Sequence, residues 1–349
     1  MERKKTKKIK IGNIYIGGDS KITIQSMNNT DTRDVKGTIK QILDFENAGC
    51  DITRCAVPDI EAAEAITEIV KNINIPLVAD IHFDYKLALK SIENGVSALR
   101  INPGNIGGEA RVDAVARAAK EKNIPIRVGV NSGSVEKELL EKYGGVCPEA
   151  LVESALKHVN LLEKANFYDI VISIKSSNVI QMIESYKMIS SKVDYPLHIG
   201  VTEAGTPWRG TIKSSVGIGA LLAEGIGDTI RVSLTGDPLE EIRVGKQILK
   251  SLGYINEGIE FISCPTCGRT KVNLIDLANK IEERLGNCNK NIKVAIMGCV
   301  VNGPGEAREA DIGVAGGNGE FLIFKKGKIL RKTKEENLIN ELINEINNM

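Results

Sequence analysis

Apolar residues alternate between two rhythms through the first two thirds of the chain. Short β-rich runs occupy 22–26, 51–57, 76–81, 96–101, 126–130, 169–174, 197–202 and 229–234. Most gaps between them carry apolar residues at helical spacing, as in Thr38–Ala48, Ile60–Lys71, Arg111–Lys122, Leu151–Ala165, Val179–Ser190 and Leu239–Leu252. Eight strand–helix units over roughly 230 residues predict a (β/α)8 TIM barrel. A doubly wound open sheet is the rival. The first strand is not followed by G-x-G-x-x-G, which counts against a dinucleotide-binding version of it.

The rhythm changes after Leu252-Gly-Tyr254. A short strand at 259–263 leads into a Cys-x-x-Cys turn. A helix is predicted from Thr270 to Leu285, capped by Thr270 and ended by Gly286. Strands at 292–298, 310–314 and 320–325 and a final helix at 334–347 complete a small α+β unit. The predicted domains are therefore 1–254, a barrel, and 255–349, a C-terminal α+β domain.

Composition narrows the function. Lys and Arg number 46 against 45 Asp and Glu, so bulk nucleic-acid binding is not indicated. The basic run Arg3 to Lys10 reads as a solvated tail. No stretch of 18 apolar residues is present to span a membrane. Seven cysteines without a secretory leader point to a reducing cytoplasm, with the thiols used for metal or catalysis.

In a barrel, residues at the C-terminal ends of the strands meet at one mouth. Strand ends here hold Arg54, Arg100 and Lys175, while Arg127 and Arg231 lie early in their runs and face inward by alternation, one cation from each of five strands. Unpaired buried charge is costly, so their convergence implies a polyanionic ligand, with a phosphate or diphosphate ester the natural match for Arg. Asn131-Ser-Gly-Ser134 either offers backbone N–H groups to a phosphate or caps a helix. Glu203, a lone carboxylate among cations, is a general acid or base or the neutraliser of an arginine. Lys175 is a phosphate contact or a Schiff-base lysine. His82 and His198 are core residues or metal ligands, and Trp208 sits in a predicted loop, Thr206 to Gly210.

Cys264-Pro-Thr-Cys267 and Cys299-Val-Val-Asn-Gly-Pro-Gly-Glu306 carry the sharpest signal. Three thiolates without a fourth nearby Cys or His suit a reactive metal centre better than a closed structural zinc site. Cys288 precedes a strand of about 20 Å whose far end delivers Cys299, so the two cannot easily share one metal. The glycines and proline before Glu306 either return its carboxylate toward Cys299 as a weak, displaceable ligand or place it as a turn cap.

Together these stretches resemble the 4-hydroxy-3-methylbut-2-en-1-yl diphosphate synthase family. Ile24-Gln-Ser-Met-Asn28, Ala98 to Asn105, Arg127 to Ser134, His198 to Gly205, Arg231 to Asp237, Cys264 to Arg269 and Gly298 to Glu306 follow its motifs in order along nearly the whole chain. The resemblance implies a [4Fe–4S] cluster on Cys264, Cys267, Cys299 and Glu306. It implies diphosphate contacts from Arg54, Arg100, Arg127, Lys175, Arg231 and Ser233, with Asn131 in the pocket, Asn302 near the cluster and Glu203 near the reacting carbons. The implied reaction is reductive ring opening of 2-C-methyl-D-erythritol 2,4-cyclodiphosphate, with electrons from flavodoxin or ferredoxin. The implied assembly is a head-to-tail homodimer of the compact bacterial form. The main alternative is a barrel lyase or aldolase with Lys175 as Schiff base and a structural zinc module. A pterin-binding barrel would account for the barrel but not for the cysteine motif.

Overall fold

The structure, a computed structural model, describes residues 3–286, 288–299, 307–317 and 319–349. The chain separates into two compact units, Met1–Tyr254 and Ile255–Met349. The first is a barrel of eight parallel strands: β3 (Thr23–Met27), β4 (Ile52–Ala56), β5 (Leu77–Asp80), β6 (Ala98–Ile101), β7 (Ile126–Asn131), β8 (Ile170–Lys175), β9 (His198–Ile199) and β10 (Thr229–Ile230). Their order is β8-β7-β6-β5-β4-β3-β10-β9, and a parallel bridge from Ile172 to Leu197 closes the circle between β8 and β9. The last two strands are shorter than the apolar runs that predicted them.

Helices follow the strands, and most begin at an acidic or amide cap. The side chains of Asp34, Asp59, Asp84, Asn178 and Asp237 each accept a backbone N–H of the first turn. Trp208, expected in a loop, lies in the first turn of helix α8 (Pro207–Ala223) and is 77% exposed. Proline at the first helical position starts a helix rather than a loop. Gly217 of that helix is a packing requirement, because a Cβ there would lie 2.6 Å from Met182 and 2.7 Å from Val201.

The N-terminal run corrects the sequence reading. It is not a solvated tail. Strands β1 (Ile9–Ile11) and β2 (Ile14–Ile16) form a hairpin whose Ile9, Ile11 and Ile16 pack on Ile52, Val78, Ala98 and Val171. Those four lie early in their strands, so the hairpin floors the barrel opposite its mouth. Each buried Ile is worth about 1.5–3 kcal/mol. The preceding cations strap the floor in place. Arg3 reaches Asp228 at 2.9 Å and the carbonyl of Ser20 at 2.5 Å, and Lys7 reaches Asp169 at 3.2 Å. Lys4 caps the carbonyls of Ser190 and Val193. Positive charge in this run answers orphan carbonyls and acids across the floor, a pairing invisible in local sequence.

The second unit is a five-stranded sheet ordered β11 (Glu260–Ser263), β12 (Lys293–Met297), β13 (Ile312–Gly316), β14 (Phe321–Lys325) and β15 (Lys328–Thr333). The first three run parallel, β14 returns antiparallel to β13, and β15 pairs antiparallel with β14. Helices α10 (Leu274–Leu285) and α11 (Glu335–Asn347) cover one face through Leu277, Ile281, Leu338, Leu342 and Ile346. Two expectations change. The cap of α10 is Asn273, which accepts from Asp276, while Thr270 takes the N–H of Cys267 instead. Strand β15 was missed because five of its six residues are exposed and it lacks a buried apolar face.

Candidate active site

The barrel interior holds the predicted cations together. Asp80, Arg100 and Arg127 are lateral neighbours in register on β5, β6 and β7, so their side chains leave the sheet on one face. Arg54 and Arg100 converge on the Asp80 carboxylate at 3.6 and 3.2 Å, all three buried. Gly129 makes room for this: a Cβ there would sit 2.4 Å from the Arg100 Nε. Arg127 donates to Gln25 Oε1 at 2.5 Å, which places it inside the barrel as strand alternation predicts. Arg231 lies 3.7 Å from Glu241, whose other oxygen accepts the N–H of Leu234.

The electrostatics are lopsided. Burial, followed by repulsion from Arg54, Arg231, Arg100 and Arg127, holds the Lys175 amine well below its usual range. Burial, then Arg54, Arg100 and Arg231, push Arg127 well down against the pull of Asp80, and burial brings Arg54 to about 9 despite Asp80. His198 is likewise held well below the ordinary imidazole range, by burial and then by Arg127 and Lys175. Burial disfavours the Asp80 carboxylate, but Arg54, His82 and Arg100 outweigh it and hold the group well below its ordinary value. Two carboxylates, Asp80 and Glu241, therefore stand among five cations.

Donors are left over. Arg54 Nη1, Arg100 Nε, both Nε and Nη2 of Arg127, and Arg231 Nε are buried without a hydrogen-bond partner. Orphan buried donors cost about 1–3 kcal/mol each, more when charged, and native structures avoid them unless a ligand answers them. The cluster is built to be completed by acceptor oxygens.

The remaining predicted residues ring this cluster. Asn131 ends β7 in register with Lys175 and receives the Ser134 hydroxyl on its backbone, so the 131–134 loop serves as a cap. Ser233 lies three residues beyond β10 and is half-buried. Glu203 is exposed in the loop after β9 with φ of +51°, a left-handed conformation that costs a non-glycine residue of order 1–3 kcal/mol and is found at functional sites. His198 is a buried residue bonded to Thr229, whereas His82 is 54% exposed beside Asp80. The residues that motif reading passed over are Asp80 and Glu241. Asp80 lies at the end of the apolar run 76–81 with no local signal of its partners, and Glu241 sits on a helix with none of its own.

In the second unit, Cys264 follows β11 and Cys299 lies two residues beyond β12, its parallel neighbour. Both thiols therefore sit at one end of the sheet, with Cys267 exposed in the turn between β11 and α10. The Gly298 N–H donates to Cys264 Sγ at 3.3 Å. Hydrogen bonds from Arg269 and Thr270 hold the Cys267 thiol below its usual range. Asn302 and Glu306 lie outside the described residues. Among the described residues no three His, Cys, Asp or Glu side chains gather around one metal ion. A cubane asks for something else, one protein ligand per iron, mostly thiolate, with N–H donors to sulfur. Soft thiols at one end of the sheet, one depressed and one already hydrogen-bonded, fit the thiolate part of that donor set.

Comparison with known proteins decides the family. The family model described as the GcpE TIM-barrel domain matches residues 6–246, and that of the GcpE protein C-terminal domain matches 260–348. The chain belongs to the GcpE family. Curated GcpE relatives named 4-hydroxy-3-methylbut-2-en-1-yl diphosphate synthase (flavodoxin) include one from Clostridium perfringens, 71% identical over 98% of both chains. Another, from Clostridium acetobutylicum, is 70% identical over the full length of both. Among solved structures, the GcpE barrel resembles Yersinia pestis dihydropteroate synthase, with a TM-score of 0.51 at 10% identity over 70% of this chain and 98% of that one. It also resembles a type I 3-dehydroquinate dehydratase from Clostridium difficile, with a TM-score of 0.52 at 16% identity over 72% and 100%. Those two likenesses concern the fold alone.

Proposed function

We infer that this chain is a 4-hydroxy-3-methylbut-2-en-1-yl diphosphate synthase, reducing 2-C-methyl-D-erythritol 2,4-cyclodiphosphate to its open, dehydrated product. Counted on the free acids, two electrons and two protons enter and one water leaves. The observation that carries this reading is the set of buried, unpartnered guanidinium donors in the barrel, which calls for a diphosphate. Family membership and the names of close relatives select which one.

Arg54, Arg100, Arg127, Lys175 and Arg231 grip the diphosphate, with Ser233 and Asn131 at its edge. Asp80 and Glu241 orient the arginines rather than bind substrate. Glu203, exposed in its loop, moves a proton at the reacting carbons. Asn302 positions substrate near the redox centre. Cys264, Cys267, Cys299 and Glu306 hold a [4Fe–4S] cluster, which supplies single electrons and a Lewis-acidic iron when bound. Flavodoxin is the donor, in keeping with the relatives' names, and ferredoxin is the second candidate.

A head-to-tail homodimer in the cytoplasm completes the reading. Ile60, Phe83, Ile180 and Trp208, each 52–77% exposed, stand at helix starts or loops around the barrel mouth, an apolar rim suited to a cover. Among the described residues no helix is long and apolar enough to cross a membrane.

Iron and sulfide content of anaerobically purified protein tests the centre, with Cys264→Ser alongside. About four irons and four sulfides per chain, lost in the variant, are expected, together with turnover of the cyclic diphosphate. One zinc and no sulfide after reconstitution would return the lyase with its zinc module. Mixing Glu203→Ala and Cys264→Ser chains should restore part of the activity through one intact composite site. Verified heterodimers without recovery would argue against the composite arrangement.

A further inference from the structure

We propose that the β14–β15 hairpin is the docking surface for the acidic face of the electron-donor protein, an inference that rests on the redox reading above. Residues 325–334 contain six Lys and Arg and no acid, although the unit from Ile255 onward balances thirteen Lys and Arg with thirteen Asp and Glu. Nearly half of its positive charge is thus packed into one hairpin. Local acids answer only part of it. Arg331 pairs with Glu341 and Glu345, and Lys332 with Glu320, while Lys325, Lys326, Lys328 and Lys334 form no ion pair among the described residues. Strand β15 is an edge strand, and its Ile329 and Leu330 are 55% and 45% exposed between the cations. Apolar residues ringed by one sign of charge make an interface core with a steering rim.

Register ties this edge to the cysteines. Met297, Ala315, Leu322 and Lys332 pair in one lateral row across the sheet, and Cys264 continues that row beside Met297. Met297, Ala315 and Leu322 pack on the face away from the helices, and Cys264, at the end of β11, packs against both clusters, so Lys332 stands on a face that Cys264 shares. Four strand spacings separate it from Cys264, about 19 Å. A standard protein interface of about 800 Å² per partner is roughly 28 Å across. A donor seated on the hairpin therefore reaches the cysteine edge within one ordinary interface. Each docking event oxidises the donor by one electron, and two events supply the pair consumed per turnover.

Edge lysines also deter strand-to-strand aggregation, a role indifferent to the reductant. The test exploits that difference. Turnover is measured with reduced flavodoxin and, separately, with a reduced viologen dye, for the wild type, Lys328→Glu/Lys332→Glu, and a control Lys280→Glu on helix α10. Flavodoxin binding is titrated directly at low and high salt. The hairpin variant should lose about tenfold in kcat/KM and in affinity for flavodoxin at low salt, keep its viologen turnover, and show a flattened salt dependence. Unchanged flavodoxin binding, or an equal loss with Lys280→Glu, would overturn the docking site. Absent turnover with either reductant in the wild type would instead sink the synthase reading, and the binding titration would still judge the hairpin.

Discussion

Replacing Arg127 by Met separates a binding role from a structural one by the sign of its effect. Arg127 is 5% exposed, makes one hydrogen bond, to Gln25, and leaves Nε and Nη2 unpartnered among other cations. Removing two orphan donors recovers about 1–3 kcal/mol each. Against this, Gln25 loses its partner at about 1–3 kcal/mol, and the altered shape costs about 1 kcal/mol. At the middle of these ranges the ligand-free protein should gain about 1 kcal/mol, raising Tm by about 2–4 °C. Binding should move the other way. Truncating one partner of a buried charged pair costs about 2–5 kcal/mol, so affinity should fall about 30- to several-thousand-fold. Thermal unfolding followed by circular dichroism, and calorimetric titration with inorganic pyrophosphate, read the two effects. A Tm lowered by several degrees with pyrophosphate affinity retained would refute the argument, making Arg127 a scaffold residue whose donors are satisfied within the fold.

Three further expectations follow from the same charges. Asp80→Asn removes the anion shared by Arg54 and Arg100 and should cost about 3–5 kcal/mol in thermal unfolding. Because the native carboxyl is held below its ordinary value, its contribution is present above about pH 4 and lost on acidification; the acid limb of Tm against pH should be shallower in the variant, and parallel limbs would contradict the assignment. Lys175 is held below its unfolded value, so ligand-free stability should rise with pH through that interval, and a polyanion in the mouth should draw a proton onto the amine. Calorimetric enthalpies that do not vary with buffer ionisation would show no such uptake. Arg3→Ala should cost about 1.5–3 kcal/mol, because Asp228, 2% exposed, would keep only Thr6 and the Leu197 N–H; a variant as stable as the wild type would restore the solvated-tail reading.

Most of the barrel was legible because its strands are buried on both faces and its helices on one, so that solvent imposes a period on the residues. The site cations were legible for the converse reason, as charges where that period calls for apolar residues. Legibility failed where structure depends on distant pairing. The lysines of the floor strap read as solvated because their partners lie some two hundred residues away, as Arg3 does from Asp228. Glu241 reads as an ordinary residue in the first turn of a helix until Arg231 is placed beside it. Strand β15 escaped notice because an edge strand with exposed residues carries no alternation. The left-handed backbone at Glu203 has no sequence signature at all, since the residue type argues against it.

The strap beneath the barrel also sets an order of events during synthesis. Arg3 leaves the ribosome well before its carboxylate partner, residue 228. At about 5–20 residues per second the anchor arrives roughly 10–45 s after the residue that needs it. Through that interval the hairpin isoleucines have only part of their floor, since Ile52, Val78 and Ala98 precede Val171 along the chain. The strap is thus made long before it is fastened, and the barrel is latched from below only once its eighth strand has emerged.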